Sequence, residues 1–448
     1  MNKQIGNFSR RDFLKAVGAL SAGLAANPLL HSNIRAFAQD VAAQPPITVL
    51  INDSPWFPGF AAMVELYTET TGNQINLDVT PFPGMLDKTR NAVQAGESEY
   101  DAVAITEQNI PFFYKSGLLR PITDIDADFS LDENIISYGD AARWDSDLGV
   151  NGPMGTILGV PINGNIQLYY YRRDLFDENG IEPPKTFDEM EAIAEQLGRP
   201  PRMFGNANRA NPIWWEFGAY VDSYDAEYVR LEADGSWSVG FERPEGLEAV
   251  NRWLRLGRDW APQNYADLGQ GDLLALMASG RLAQVHMVGA AAPNYDNPDI
   301  SVVGGNMGAT VVPGVTAEAR SPRTGMWVMC HPDNLPDERA AAGLEFVKWL
   351  TTKDNQLAYA KAGAIPVRQD TYEELATDPV VGWWTSAFAE STPFLHPETR
   401  LPETPLIRDS VTTRMAQAYV NEISADEAVS LMASEVRTVM EDAGYTVS

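Results

Sequence analysis

Apolar positions along this chain fall into two alternating rhythms. After a Pro45-Pro46 linker, ITVLIN (Ile47 to Asn52) is a short unbroken apolar run that reads as a strand. The next stretch sets Phe60, Met63, Val64 and Tyr67 at offsets of zero, three, four and seven, which is one face of a helix. QINLDVT then alternates Ile75, Leu77 and Val79, GMLDKTRNAVQAG has helical spacing, and YDAVAIT is a short strand before another helix ending near Gly117. Strand and helix in alternation predict a parallel α/β lobe. Downstream, KTFDEMEAIAEQLG opens on a capping box, Thr186 with Glu189, and carries a stripe at Met190, Ile193, Ala194 and Leu197. DLLALMASGRLAQVHMVG reads as helix, glycine turn and strand, and LPDERAAAGLEFVKWLTTKDNQLAYAKAG as two consecutive helices. The last helix runs from a second capping box, Ser424 with Glu427, to Gly444.

The 448 residues exceed what one hydrophobic core usually serves, so two lobes are expected. Arg10 and Arg11 stand just before an apolar run broken by Gly18, Gly23 and Pro28, which ends at the small-residue site Ala36 to Ala38. This resembles a twin-arginine export signal over residues 1–38, too short and broken for a transmembrane helix. Losing its five basic residues and one acid takes the net charge from -28 to -32. Such a surface repels phosphate backbones and anionic membranes, so nucleic acid is excluded as a partner. Cys330 is the one cysteine, which leaves no intramolecular disulfide and no lipid anchor behind the signal. The four histidines lack zinc-like spacing, and no Walker loop or GxGxxG is present, so neither a metal nor a cofactor is expected.

In open α/β sheets, ligands bind outside the carboxyl ends of strands. The loops at those places, NDSPWFPG, TEQN, PINGN, GNANRANPIWWEF, GAAAPNY and TGMWVM, are rich in Trp, Asn and Gly. Aromatic faces pack the C–H side of a sugar while amides and charged groups pair its hydroxyls. Trp56, after the first strand, and Glu107, after the third, are candidates by the strand-end rule.

The order of ESEYDAVAITEQNIPFFYKSGLLRPI, GVPINGNIQLYYYRRDLFDENGIEPPKTFDEMEAIAEQL, MASGRLAQVHMVG and FVKWLTTKDNQLAYAKAGAIPVRQD resembles the extracellular solute-binding proteins of the maltose-binding type, the capture subunits of ABC sugar importers. The resemblance implies a type II periplasmic-binding-protein fold, two lobes each with a mostly parallel sheet flanked by helices, joined by crossing strands around a solute cleft. Lobe 1 is expected at 39–160 and 323–365, lobe 2 at 161–322 and 366–448. It implies that IQLYYYRRDLF is a strand with Tyr169 to Tyr171 alternating between faces. Asn163 and Asn165 at the crossing, Trp214 with Glu216 and Asn211, Trp327, and Arg368 become the further candidates, Arg368 either pairing a hydroxyl or holding a carboxylate. Trp383 or Trp384 could supply a rim aromatic. Ala290, Ala291 and Ala292 depart from the family, where an aromatic often follows this strand; Tyr295 could replace it only by reaching back.

The implied protein is a monomeric periplasmic receptor, not an enzyme, that takes a sugar, oligosaccharide or polyol and presents it to a membrane permease. Two alternatives remain open at this point: a polyamine or other small cation in the same fold, and an exported carbohydrate-active enzyme, for which no pair of carboxylates has distinguishing spacing.

Overall fold

The computed structural model describes residues 41–398 and 400–448, so the expected export signal lies outside the described residues. The strands that organise it are β1 (Ile47–Asn52), β2 (Ile75–Thr80), β3 (Ala102–Thr106), β4 (Leu119–Arg120), β5 (Val160–Asn163), β6 (Gln167–Arg172), β7 (Gln284–Val288), β8 (Met307–Thr310) and β9 (Trp327–Pro332). The chain divides into two units. Unit 1 takes the chain up to Asp145, then Gly152–Gly164 and Met326–Leu375; unit 2 takes Ser146–Asn151, Asn165–Gly325 and Ala376–Ser448. The units change at 165, 326 and 376, against sequence boundaries set at 161, 323 and 366, and unit 2 also takes the brief passage 146–151.

In unit 1 the sheet order is β2-β1-β3-β9-β4, with β5 also paired to β9. β1 runs parallel to β2 and β3, while β9 is antiparallel to β3 and β5. Val49, Leu50 and Ile51 are fully buried, as a strand covered on both faces demands. The helix Phe57–Thr71 begins with a proline in its first turn and ends at Gly72, whose φ of 82° needs a residue without Cβ. Its apolar stripe packs on the helix Asp337–Leu350, where Tyr67 meets Phe346 and Trp349 edge-on at 5.1 and 5.0 Å. Burying one such ring contributes about 2 kcal/mol, so Tyr67→Ala would loosen this layer.

Unit 2 departs from the mostly parallel sheet expected. Its order is β7-β6-β8, and both pairings are antiparallel. β6 begins two residues after the chain enters the unit at Asn165, and β7 and β8 run opposite to it on either side. The tyrosines alternate as expected. Tyr169 and Tyr171 share a face, their rings 6.1 Å apart, while Tyr170 points the other way and donates to Gly289 O at 2.8 Å. The helix Phe187–Leu197 has the full capping box at Thr186 and Glu189. It joins the helices Trp214–Ser223, Pro244–Arg258, Thr404–Tyr419 and Ala425–Asp442 around an aromatic core in which Phe187 stacks on Tyr220 at 4.4 Å and Trp253 meets Tyr419 at 4.6 Å. Among the described residues no helix is long and apolar enough to cross a membrane.

Candidate functional site

Four of the candidates hang from the carboxyl edge of the unit 1 sheet. Trp56 stands at the start of the helix that follows β1, Glu107 directly after β3, Asn163 at the end of β5, and Trp327 at the start of the antiparallel β9. The register sets Trp327 beside both Thr106 and Asn163, which brings these segments together. The Trp56 and Trp327 rings lie 5.7 Å apart and tilted by 57°. Glu107 is fully buried, its backbone N–H donates to Met326 O at 3.1 Å, and its Oε1 accepts from Gln108 Nε2 at 3.2 Å.

Asn163 is held on one side only. Its Oδ1 accepts from the Ile365 N–H at 3.1 Å and from the Tyr359 hydroxyl at 3.4 Å, while Nδ2 is a buried donor with no partner. Beside it, Gly164 admits no side chain: a Cβ there would stand 2.1 Å from the Tyr138 hydroxyl and 2.3 Å from Pro366 O. Tyr138 was not legible as a site residue. It is a buried aromatic at φ 49°, an uncommon backbone region for a bulky residue, and burial together with the nearby Glu107 charge pushes its phenol well above the usual value.

In unit 2, Asn165 sits at the carboxyl end of β7 and accepts the Ala290 N–H on Oδ1 at 3.2 Å. The tryptophan beside it is Trp215, not Trp214. A Cβ on Gly325 would lie 2.7 Å from the Trp215 ring and 3.2 Å from Asn165 Nδ2, so glycine is required there for the indole to approach, and Trp215 Nε1 donates to Thr324 O at 3.0 Å. The Arg209 guanidinium covers the Trp215 ring at 5.6 Å and stands 2.7 Å from Glu216 Oε2. Burial pushes the Glu216 carboxyl up to about 7, against the pull of Arg209. Arg209 was missed from sequence; the run of amides before it, Asn206 and Asn208, anchors the segment by donating to Leu256 O and Trp253 O, both at 2.9 Å.

Trp214 is placed elsewhere: the Arg408 guanidinium lies 3.6 Å over its ring, and it packs against the aromatic core. Arg368 binds Asp132 at 2.9 Å, Asp370 at 2.9 and 3.0 Å, and Thr351 O at 3.2 Å, a network that occupies its fork. Asn211 is exposed. Tyr295 is fully buried and T-shaped on Tyr170 at 5.2 Å, so it packs beneath the sheet. Trp383 is half-buried and donates to Asp296 at 2.7 Å, while Trp384 is buried. Among the described residues, no group of three His, Cys, Asp or Glu side chains is placed to hold a metal ion.

The chain is similar to the erythritol/L-threitol-binding protein of Mycolicibacterium smegmatis, 22% identical over 83% of this chain and 84% of the relative. It is 23% identical to the mannitol-binding protein of Pseudomonas aeruginosa over 79% of this chain and 83% of that one. Among solved structures, maltose-bound MalE3 of T. maritima superposes with a TM-score of 0.76 at 19% identity, covering 88% of this chain and 99% of that chain. A solute-binding protein of Agrobacterium vitis with bound D-mannitol gives 0.72 at 18% identity, covering 90% and 99%. These likenesses establish the two-lobed fold of the MalE type. The model of the family described as bacterial extracellular solute-binding protein matches residues 62–385, well over half of the sequence, and the chain belongs to that family.

Proposed function

We propose that this protein is a non-catalytic, monomeric receptor that captures a neutral sugar or polyol and hands it to the permease of an ABC importer. The observation that carries this reading is the pairing of Trp56 and Trp327 beside Asn163, whose Nδ2 lacks a partner, at one sheet edge. The indole of Trp327, 7% exposed and backed by the fully buried Trp56, suits the C–H side of a polyhydroxylated solute, and a buried donor without a partner suits one of its oxygens. The relatives support it in kind, since their names specify erythritol, threitol and mannitol. Trp56, Glu107, Asn163, Trp327, Asn165 and Glu216 are the assigned contacts, while Trp214 and Arg368 act as supports. A thermal-shift screen over sugars, polyols and polyamines tests the reading, because a ligand selective for the folded state raises its apparent stability. A shift with a sugar or polyol, recovered unaltered after long incubation, is expected. A shift with polyamines alone, or a chemically changed sugar, overturns it.

Residues 1–38 act in this reading as a twin-arginine signal that delivers the protein to the periplasm without a lipid anchor. Mass spectrometry of the exported protein should then find Gln39 at the amino terminus; a retained Met1 or a lipid adduct contradicts it.

A further inference from the structure

The two ends of the unit 2 sheet differ in what they carry. Asn165 and Ala290 lie beyond Gln167 and Val288, one end of the β6–β7 pair, whereas Arg172 pairs with Met307 at the other end of β6. The six residues of β6 put about 17 Å of extended chain between these ends. At the Met307 end, Arg173, Asp296, Gly305, Val380 and Trp383 line a pocket of about 320 Å³, within the range of small-ligand sites. Trp383 is fixed as its wall. The indole Nε1 donates to Asp296 Oδ2 at 2.7 Å and Tyr170 meets the ring at 6.2 Å, while Asp296 Oδ1 accepts from the Gly305 N–H at 3.1 Å. Both carboxylate oxygens are thus engaged in holding the indole and the Gly305 loop. Arg173 is exposed and donates through Nη2 to Gly305 O, yet among the described residues it pairs with no carboxylate, which leaves its Nε–H and Nη1 donors available. The mouth is open: Val380 is 67% exposed, and a Cβ on Gly305 would meet nothing within 4 Å.

We propose that this pocket is an accessory saccharide site, separate from the solute contacts assigned above, that takes one neutral pyranose ring. The Trp383 face, with Pro379 and Val380 beside it, receives the C–H side of the ring, and the planar Arg173 fork donates to its hydroxyls. Charge selects against the other small ligands that an indole wall admits. Asp296 and the net charge of -28 disfavour an anion, Arg173 disfavours a cation, and an uncharged ring meets neither penalty. The open mouth lets the rest of a longer chain run into solvent, so the site suits the end of an oligosaccharide as well as a free sugar. It stands independently of the receptor reading, since none of its residues is an assigned solute contact.

Nitrogen-15 labelling of the tryptophan indoles follows the site directly by NMR, with the Trp383 signal assigned from Trp383→Phe or, where that variant does not fold, from the wild-type backbone assignment. Titration with glucose, maltose and cellobiose should move the Trp383 signal. Glucuronate and glucosamine, the same ring carrying a charge, should act about fivefold more weakly, as one unfavourable charge contact near the surface implies. Arg173→Ala, at an exposed position, should weaken the Trp383 response about tenfold through lost hydrogen bonds from a charged donor, while any maltose response at the Trp327 indole stays as in the wild type. A Trp383 signal that none of the three neutral sugars moves, one that responds as strongly to a charged sugar, or one that responds equally in Arg173→Ala overturns the site and leaves the receptor reading untouched.

Discussion

In unit 1 the candidate contacts hang from the ends of strands; in unit 2, Arg209, Trp215 and Glu216 come from an irregular segment and the helix it feeds. The chemistry differs in parallel. Unit 1 offers two indole rings 5.7 Å apart with an amide and a carboxylate from strand ends, whereas unit 2 offers a guanidinium and a carboxylate 2.7 Å apart beneath one indole. An ordered sheet edge therefore carries broad apolar faces, and the irregular segment carries directional polar groups. Directional groups need many local hydrogen bonds to hold them, which is why Asn206 and Asn208 are tied to backbone carbonyls.

The largest expected effect contrasts two arginines. Arg323 in unit 2 is 1% exposed and pairs with Asp222, itself buried, at 2.5 and 2.8 Å; Gly218 leaves the room, since a Cβ there would come within 2.1 Å of the guanidinium. Arg368 in unit 1 has partners that reach water, Asp132 and Asp370. Arg323→Met should cost about 3–5 kcal/mol because it strands a buried carboxylate. Arg368→Met should cost roughly 1–2 kcal/mol because its carboxylates are resolvated. Urea unfolding of both variants checks this, and equal losses would break the contrast.

A second contrast separates two tryptophans. Trp327→Ala should weaken solute binding by about 1–3 kcal/mol, a tenfold to hundredfold loss, with the fold retained by circular dichroism. Trp214→Ala should instead lower the melting temperature, because the indole packs under Arg408, and leave affinity within about twofold. Calorimetry and melting of the two variants decide; a large affinity loss in Trp214→Ala would return that ring to the site.

The sequence was most informative where a periodic rule and a spatial rule coincide. Unit 1's strands are buried apolar runs, the helix stripe at Phe60, Met63, Val64 and Tyr67 is buried, and the strand-end rule gathered Trp56 and Glu107 on the edge that also holds Asn163 and Trp327. In unit 2 the antiparallel sheet gives that rule less purchase. Trp214 and Trp215 point about 100° apart on one helix, and the choice between them depends on Gly325, which lies 110 residues downstream of Trp215 in sequence and beside it in space. Arg209 carried no periodic signal, and Arg368 showed its role only once Asp132, from a remote segment, was placed beside it.

The smallest expected effect lies in the charge cluster of unit 2 that surrounds a cavity of about 10 Å³ lined by Asp222, Glu227, Tyr228, Arg323, His396 and Glu398. His396 Nε2 stands 3.1 Å from Glu227 Oε1, and its backbone pairs with Arg323. Burial and Arg323 work against the imidazolium, but Asp222 and Glu227 outweigh them and raise the His396 pKa; in return His396 and Arg230 overcome burial and lower Glu227 to about 2. The signs follow from linkage. The His396 contribution is complete below its unfolded value of about 6.5 and is lost as pH rises through the higher folded value. The Glu227 contribution is complete above its unfolded value of about 4.5 and is lost as pH falls toward 2. Both act together between about 4.5 and 6.5, so the melting temperature should decline from that window toward alkaline pH. His396→Gln should remove the alkaline decline that belongs to this pair while leaving the rest of the profile in place. Because the His396 side chain is about one-third exposed, at 34%, solvent screens the pair and the change should be a few degrees at most. Identical profiles for wild type and variant would show that the His396–Glu227 pair adds no measurable stability and that the cluster is held by its other ion pairs, Arg323 with Asp222 and Arg408 with Glu398 among them.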